Sequence, residues 1–225
     1  MPHRYVKIIV SLITIIKLKR MYSPKKQINL DITNKCALAC PACDRQSLIK
    51  NKQRIDGKDI SVESFRKIVD YFDHLIFCGQ VSDPTHHDNF KDLLKLCVVN
   101  NKRVTVNVAS TIRDIGWFTR CFLLSKGRNI EWIFGIDGLP KDSHKYRINQ
   151  DGEKLYEIMK RGSRLGVQCT WQCIVFNYNE NDISECEKMA KDINVKFRTI
   201  LSSRWKGEMK IYKPSNQENF ISRGF

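Results

Sequence analysis

Two hydrophobic rhythms alternate along the chain, and their order predicts its architecture. Residues 28–33 step between apolar and polar positions as a half-buried strand does. From Ser61, with Ser64 three positions on, apolar residues recur at Phe65, Ile68, Val69 and Phe72, the spacing of an amphipathic helix. A short buried strand follows at 75–78, then helical spacing at Phe90, Leu93, Leu94, Leu96 and Cys97. The pattern repeats as strand 104–108 with helix 117–124, then strand 130–136 ending in the turn Asp137-Gly138-Leu139-Pro140. Helix 153–165 has Gly166 as its stop, and strand 168–176, helix 183–193 and strand 195–199 complete the series. Strands alternating with helices call for parallel β/α units joined by right-handed crossovers. Six such units predict an α/β fold, a partial (β/α)6 TIM-like barrel, with an N-terminal helix and a short C-terminal tail. Sites in such barrels collect at the C-terminal ends of the strands.

Three segments follow from this reading. Residues 1–26 hold an apolar run (6–18, VKIIVSLITIIKL) and a basic linker, residues 27–200 the barrel, and residues 201–225 the tail. The run has thirteen residues, whereas a bilayer span needs roughly 20. No small-residue cleavage site follows it, so it is read as a helix packed on the barrel, with peripheral membrane attachment the weaker alternative. The tail aromatics Trp205, Tyr212 and Phe220 are placed to pack beneath or across the open side.

Composition adds a charge and a compartment. The formal net charge of +15 favours acidic partners: nucleic acid, a phosphorylated or nucleotide-linked substrate, an anionic surface, or an acidic redox protein such as a flavodoxin or ferredoxin. Lysines and arginines are scattered rather than blocked, so charge alone selects none of these. Nine cysteines without a secretory signal argue for a reducing, cytoplasmic setting in which thiols are ligands or core residues.

Three of those cysteines carry the chemistry. Cys36, Cys40 and Cys43 follow the first strand with C-x3-C-x2-C spacing. Three thiolates hold three corners of an iron–sulfur cluster and leave one iron open to a small molecule. A structural zinc site would want a closed set of four. The spacing, on a loop between a strand and a helical stretch, resembles the signature of the radical S-adenosylmethionine (SAM) superfamily. The resemblance implies a 4Fe–4S cluster whose unique iron is chelated by the amino and carboxylate groups of SAM. Reductive cleavage would then give methionine and a 5′-deoxyadenosyl radical that takes hydrogen from a substrate, here unidentified. It covers residues 28–199 and looks most like a group of bacterial and phage radical SAM proteins.

What the resemblance implies for SAM contacts can be placed residue by residue. Ala42 stands where the superfamily usually has an aromatic that helps seat adenine, leaving backbone contacts. Gly79 and Gln80 stand in the glycine-rich segment that holds the amino group, with Asp83 the nearest carboxylate. Ser110 and Thr111 occupy the third strand end, and Asn177 and Thr199 the fifth and sixth. Asp137 and Arg147 match the Asp and Arg of a Ser-x-Asp-Gly…Arg segment, whose Ser maps onto Gly135. A guanidinium fork suits the SAM carboxylate. Adjacent His86 and His87 read as solvated or supporting residues rather than ligands, and Tyr146 as packing. The tail is short for the family, so a substrate-binding extension is expected to be either missing or supplied by a partner. Two other readings stay open: a non-catalytic metal- and nucleic-acid-binding protein, holding Fe–S or zinc (the zinc with Cys78 or His86 as a distant fourth ligand), and a degenerate radical SAM fold without turnover.

Overall fold

Six strands hydrogen-bond in the order in which they occur, every neighbour parallel: β1 (Lys25–Leu30), β2 (Phe72–Phe77), β3 (Arg103–Val108), β4 (Ile130–Gly135), β5 (Gln168–Ile174) and β6 (Lys196–Ile200). The computed structural model describes residues 25–215, so the expected N-terminal helix and Phe220 lie outside the described residues. Between the strands come α1 (Asp44–Lys50), α2 (Val62–Tyr71), α3 (Phe90–Val99), α4 (Ile115–Ser125), α5 (Gly152–Arg164) and α6 (Ile183–Asp192). Right-handed crossovers that always step in one direction leave the helices on one face of the sheet. The sheet is open, a partial (β/α)6 TIM-like barrel.

That topology divides each strand by parity. One face carries Phe77, Val106, Trp132, Phe134 and Trp171, all fully buried in a core shared with Phe65, Phe90, Phe122 and Ile158 of the helices. Trp132 and Phe122 meet edge to face at 5.1 Å, and the indole N–H of Trp132 donates to Ser125 Oγ at 3.0 Å. A buried indole needs such a partner. Cys169 and Cys173 lie in this core beside Trp171, as their spacing predicts. The opposite, concave face is mostly polar, with Gln27, His74, Thr105, Asn107, Glu131, Thr170, Gln172 and Arg198 around the two apolar residues Ile76 and Ile133. Cross-strand bonds join His74 to Gln27 and Thr105, and Thr170 to Glu131.

Several boundaries move for local reasons. β1 begins at Lys25 and stops at Leu30 rather than running from 28 to 33. Beyond it, the Asp31 and Thr33 side chains bond Ser82 and Asp59 (2.5 and 2.6 Å), and Lys35 N–H donates to Thr33 Oγ1 at 3.2 Å. Side-chain bonds of this kind compete with a ladder. Phe72 leaves the helical stripe and opens β2, opposite Lys25. β5 ends at Ile174, and Phe176 N–H turns to Asn179 Oδ1 (2.8 Å). Helix signals hold: Ser61 caps α2, and Gly166 follows α5 at φ +77°, a left-handed position that favours glycine. Among the described residues no helix is long and apolar enough to cross a membrane.

Candidate functional site

The loop after β1 lies at the C-terminal edge of the sheet and is stapled there by its neighbours. Ala39 N–H donates to Ile148 O at 3.0 Å, Asn149 Nδ2 to Ala37 O at 3.2 Å, and Gln46 Nε2 to Leu38 O at 3.3 Å. Arg45 reaches back to the Asn34 carbonyl (2.5 Å) and the Val81 carbonyl (3.3 Å), tying this loop to the one after β2. Cys43 caps α1 from an extended conformation. The nine cysteines then divide cleanly: Cys36, Cys40 and Cys43 are half-buried, and the other six are buried. Burial pushes the Cys36 thiol up to about 12, with the Asp83 carboxylate adding to it. Burial likewise pushes Cys40 up to about 11, against the opposing pull of Arg147. Both are thiols at neutral pH, so metal loading here would release protons.

The segment after β2 meets this loop at its exposed end. The Cys43 thiol donates to the Gln80 carbonyl at 3.8 Å, and Gly79 and Gln80 are exposed beside it. A Cβ on Gly79 would come within 2.5 Å of the Ser82 carbonyl, so only glycine permits this turn. Asp83 and Ser110, expected to meet SAM, are turned inward instead. Asp83 is 3 % exposed and accepts from Thr85 N–H at 3.0 Å and from Ala109 and Ser110 N–H at 2.8 Å each. The Ser110 hydroxyl bonds His86 Nε2 at 3.1 Å. With the Thr85 hydroxyl also donating to it, the Asp83 carboxylate holds two strand ends together.

Neither histidine is a free ligand. Ala37 N–H donates to His86 Nε2 at 3.2 Å, and burial lowers the pKa of that ring, keeping it a neutral acceptor. His87 is buried rather than solvated. Its Nδ1 accepts from Asn89 N–H at 3.0 Å, so its Nε2 donates to Ile60 O at 2.9 Å. Among the described residues no three His, Cys, Asp or Glu side chains converge as they would on a single metal ion. A cubane cluster asks for something different, each thiolate on its own iron.

Arg147 supplies the cation. Its Nε pairs with Asp137 Oδ2 at 2.7 Å in an ion pair whose acid is fully buried. Asp137 Oδ1 also accepts from Ile174 N–H at 2.8 Å. The guanidinium lies over Gly135, where a Cβ would fall 2.8 Å from Nη2 and 2.9 Å from Cζ. A serine at that position would have to push the guanidinium aside.

The tail covers the other flank, a contribution the sequence left vague. Arg204 Nη1 donates to the Ala42 carbonyl at 2.9 Å. Trp205 and Tyr212 pack edge-on against Phe176, which meets Tyr146 at 4.2 Å between centroids. Tyr146 is packing, as expected. Asn177 fastens the tail through Tyr212 O and Ile211 O, while Thr199 shares the helix-side face with Cys173 and Phe197. Sequence reading also missed the polar concave lining, although its signal is present: Arg103, Thr105 and Asn107 alternate along β3, Gln168, Thr170 and Gln172 along β5, and Lys196 and Arg198 along β6.

No family model and no curated protein matches the chain. Solved structures do. SuiB of Streptococcus suis bound to S-adenosylmethionine superposes with a TM-score of 0.66 at 14 % identity, over 93 % of this chain and 53 % of that one. anSMEcpe with bound AdoMet gives 0.60 at 18 % identity, over 79 % and 52 %. TYW1 with a lysine-pyruvate adduct gives 0.55 at 13 % identity, over 84 % and 70 %. The chain thus spans about half the length of the first two (53 % and 52 %), and what it shares with all three is the fold.

Proposed function

We propose that this chain is a radical SAM enzyme. The observation that carries the reading is the division of the cysteines: only the C-x3-C-x2-C trio is half-buried, on the strand-end loop of a barrel like that of two proteins solved with SAM bound. Cys36, Cys40 and Cys43 would hold a 4Fe–4S cluster. That cluster would supply the electron that splits SAM into methionine and a 5′-deoxyadenosyl radical.

The chain's own residues do the rest. The exposed backbone at Gly79 and Gln80, beside Cys43, accepts from the SAM amino group. Arg147, steadied by Asp137, offers its remaining N–H edge to the carboxylate. The Ala42 backbone and the Tyr146–Phe176 packing beneath it border the adenine side and exclude water. Asp83 and Ser110 act by fixing the loops. SAM and a substrate are the partners, and the charge of +15 suits an acidic electron donor such as a flavodoxin or ferredoxin.

Anaerobic reconstitution followed by dithionite and SAM tests the reading. Release of 5′-deoxyadenosine above the reagent blank is expected. A brown protein that never cleaves SAM would instead mark a degenerate fold, and a colourless one with stoichiometric zinc a binding protein. Gly135→Ala checks the carboxylate end. Its methyl group displaces the guanidinium, so SAM affinity is expected to fall about tenfold, the worth of one charged hydrogen bond, with iron content unchanged. Equilibrium SAM binding beside an iron assay measures both.

A further inference from the structure

Arg103, Lys196 and Arg198 share the concave parity of the strands; the first two are exposed, and Arg198 is the half-buried cation that the cofactor reading leaves unused. Arg198 of β6 sits across from Gln172 of β5, and Gln172 across from Gly135 of β4, the residue beneath Arg147. Arg198 Nη2 donates to Gln172 Oε1 at 2.6 Å. Its Nε is buried without a hydrogen-bond partner among the described residues, and no ion pair to it occurs there. The other polar groups of this face satisfy one another: His74 with Gln27 and Thr105, Thr170 with Glu131, Asn107 with the Phe77 carbonyl. Among the described residues the Arg198 guanidinium is thus held by a neutral amide and paired with no carboxylate. Trp205 carries a second buried donor without a partner among the described residues, and its ring packs on Phe176 just beyond β5. Buried donors left unmatched are unfavourable, and a charged one more than a neutral one.

We infer that Arg198, oriented by Gln172, seats an oxyanion of the substrate on the concave face, a carboxylate or a phosphoryl group. Neighbouring strands lie about 4.8 Å apart, which sets the Arg198 backbone about 10 Å from Gly135. An anionic group held there would leave the adjoining part of the molecule next to the proposed SAM seat. The inference rests on that reading only in taking the bound anion to be the substrate's.

The test uses melting midpoints of the full chain in glutarate, inorganic phosphate or chloride at matched ionic strength. Glutarate or phosphate is expected to stabilise the wild type beyond chloride. Arg198→Met should require about tenfold more anion for the same shift, the loss of one charged hydrogen bond. Arg198→Lys, which keeps the charge without the planar fork, should fall between, and it carries the comparison if the methionine variant does not fold. Lys67→Met, on the exposed side of α2, should respond as the wild type does. A stronger response to glutarate assigns a carboxylate and a stronger response to phosphate a phosphoryl group. Equal responses in wild type and Arg198→Met, or none beyond chloride in the wild type, overturn the inference. Neither cluster nor turnover enters the measurement, so a failure of SAM cleavage and a failure of the anion seat are seen separately.

Discussion

Alanine at Cys36, Cys40 or Cys43 is expected to take the reconstituted protein from about four irons per chain to nearly none, and 5′-deoxyadenosine release to the blank. Each thiolate is the sole protein ligand of its iron in a three-cysteine site, so no neighbour substitutes. The matched control is Cys121→Ala, fully buried in the core that also holds Phe118 and Phe122. That change removes one buried sulfur and should lower stability by about 1 kcal/mol while keeping the irons. Iron and sulfide analysis with denaturant unfolding separates the two outcomes. Iron retained at full stoichiometry in any of the three loop variants would end the cluster assignment.

The largest effect on stability is expected at Asp137. Asp137→Ala leaves the Arg147 guanidinium buried beside no anion and removes the acceptor of Ile174 N–H. Breaking one side of a buried pair is worth about 3–5 kcal/mol, a large fraction of a domain's total stability. Asp142→Ala, which breaks the more exposed pair with Lys145 (side chains 21 % and 48 % exposed), should change stability by less than about 1 kcal/mol. Urea midpoints of the two variants measure the contrast. A loss at Asp137 no greater than at Asp142 would mean that the pair does not hold the β4 strand end.

The order of strands and helices was legible because periods of two and about three and a half survive in the apolar positions of nearly every element. α1 was harder: none of its residues is buried, so it has no stripe to read. The cysteine loop was legible because its chemistry lies within eight residues. The partners of Asp83 were not, because Ala109 and Ser110 lie 26 and 27 positions away and only the fold brings them together. Still less visible was Arg204 on the Ala42 carbonyl, across 162 positions. Gly135 reads in sequence only as a departure from the motif's Ser, whereas the fold gives it a reason, the guanidinium lying over it.

Because packing and lining occupy alternate residues of the same strands, the chain keeps two separate ledgers of sequence. Ile76, Asn107, Ile133 and Thr170 face the hollow, while Phe77, Val106, Phe134 and Trp171, one step along the same strands, face the helices. A change of lining can therefore leave the aromatic core in place, provided that the cross-strand hydrogen bonds of the hollow are replaced along with the residues that make them.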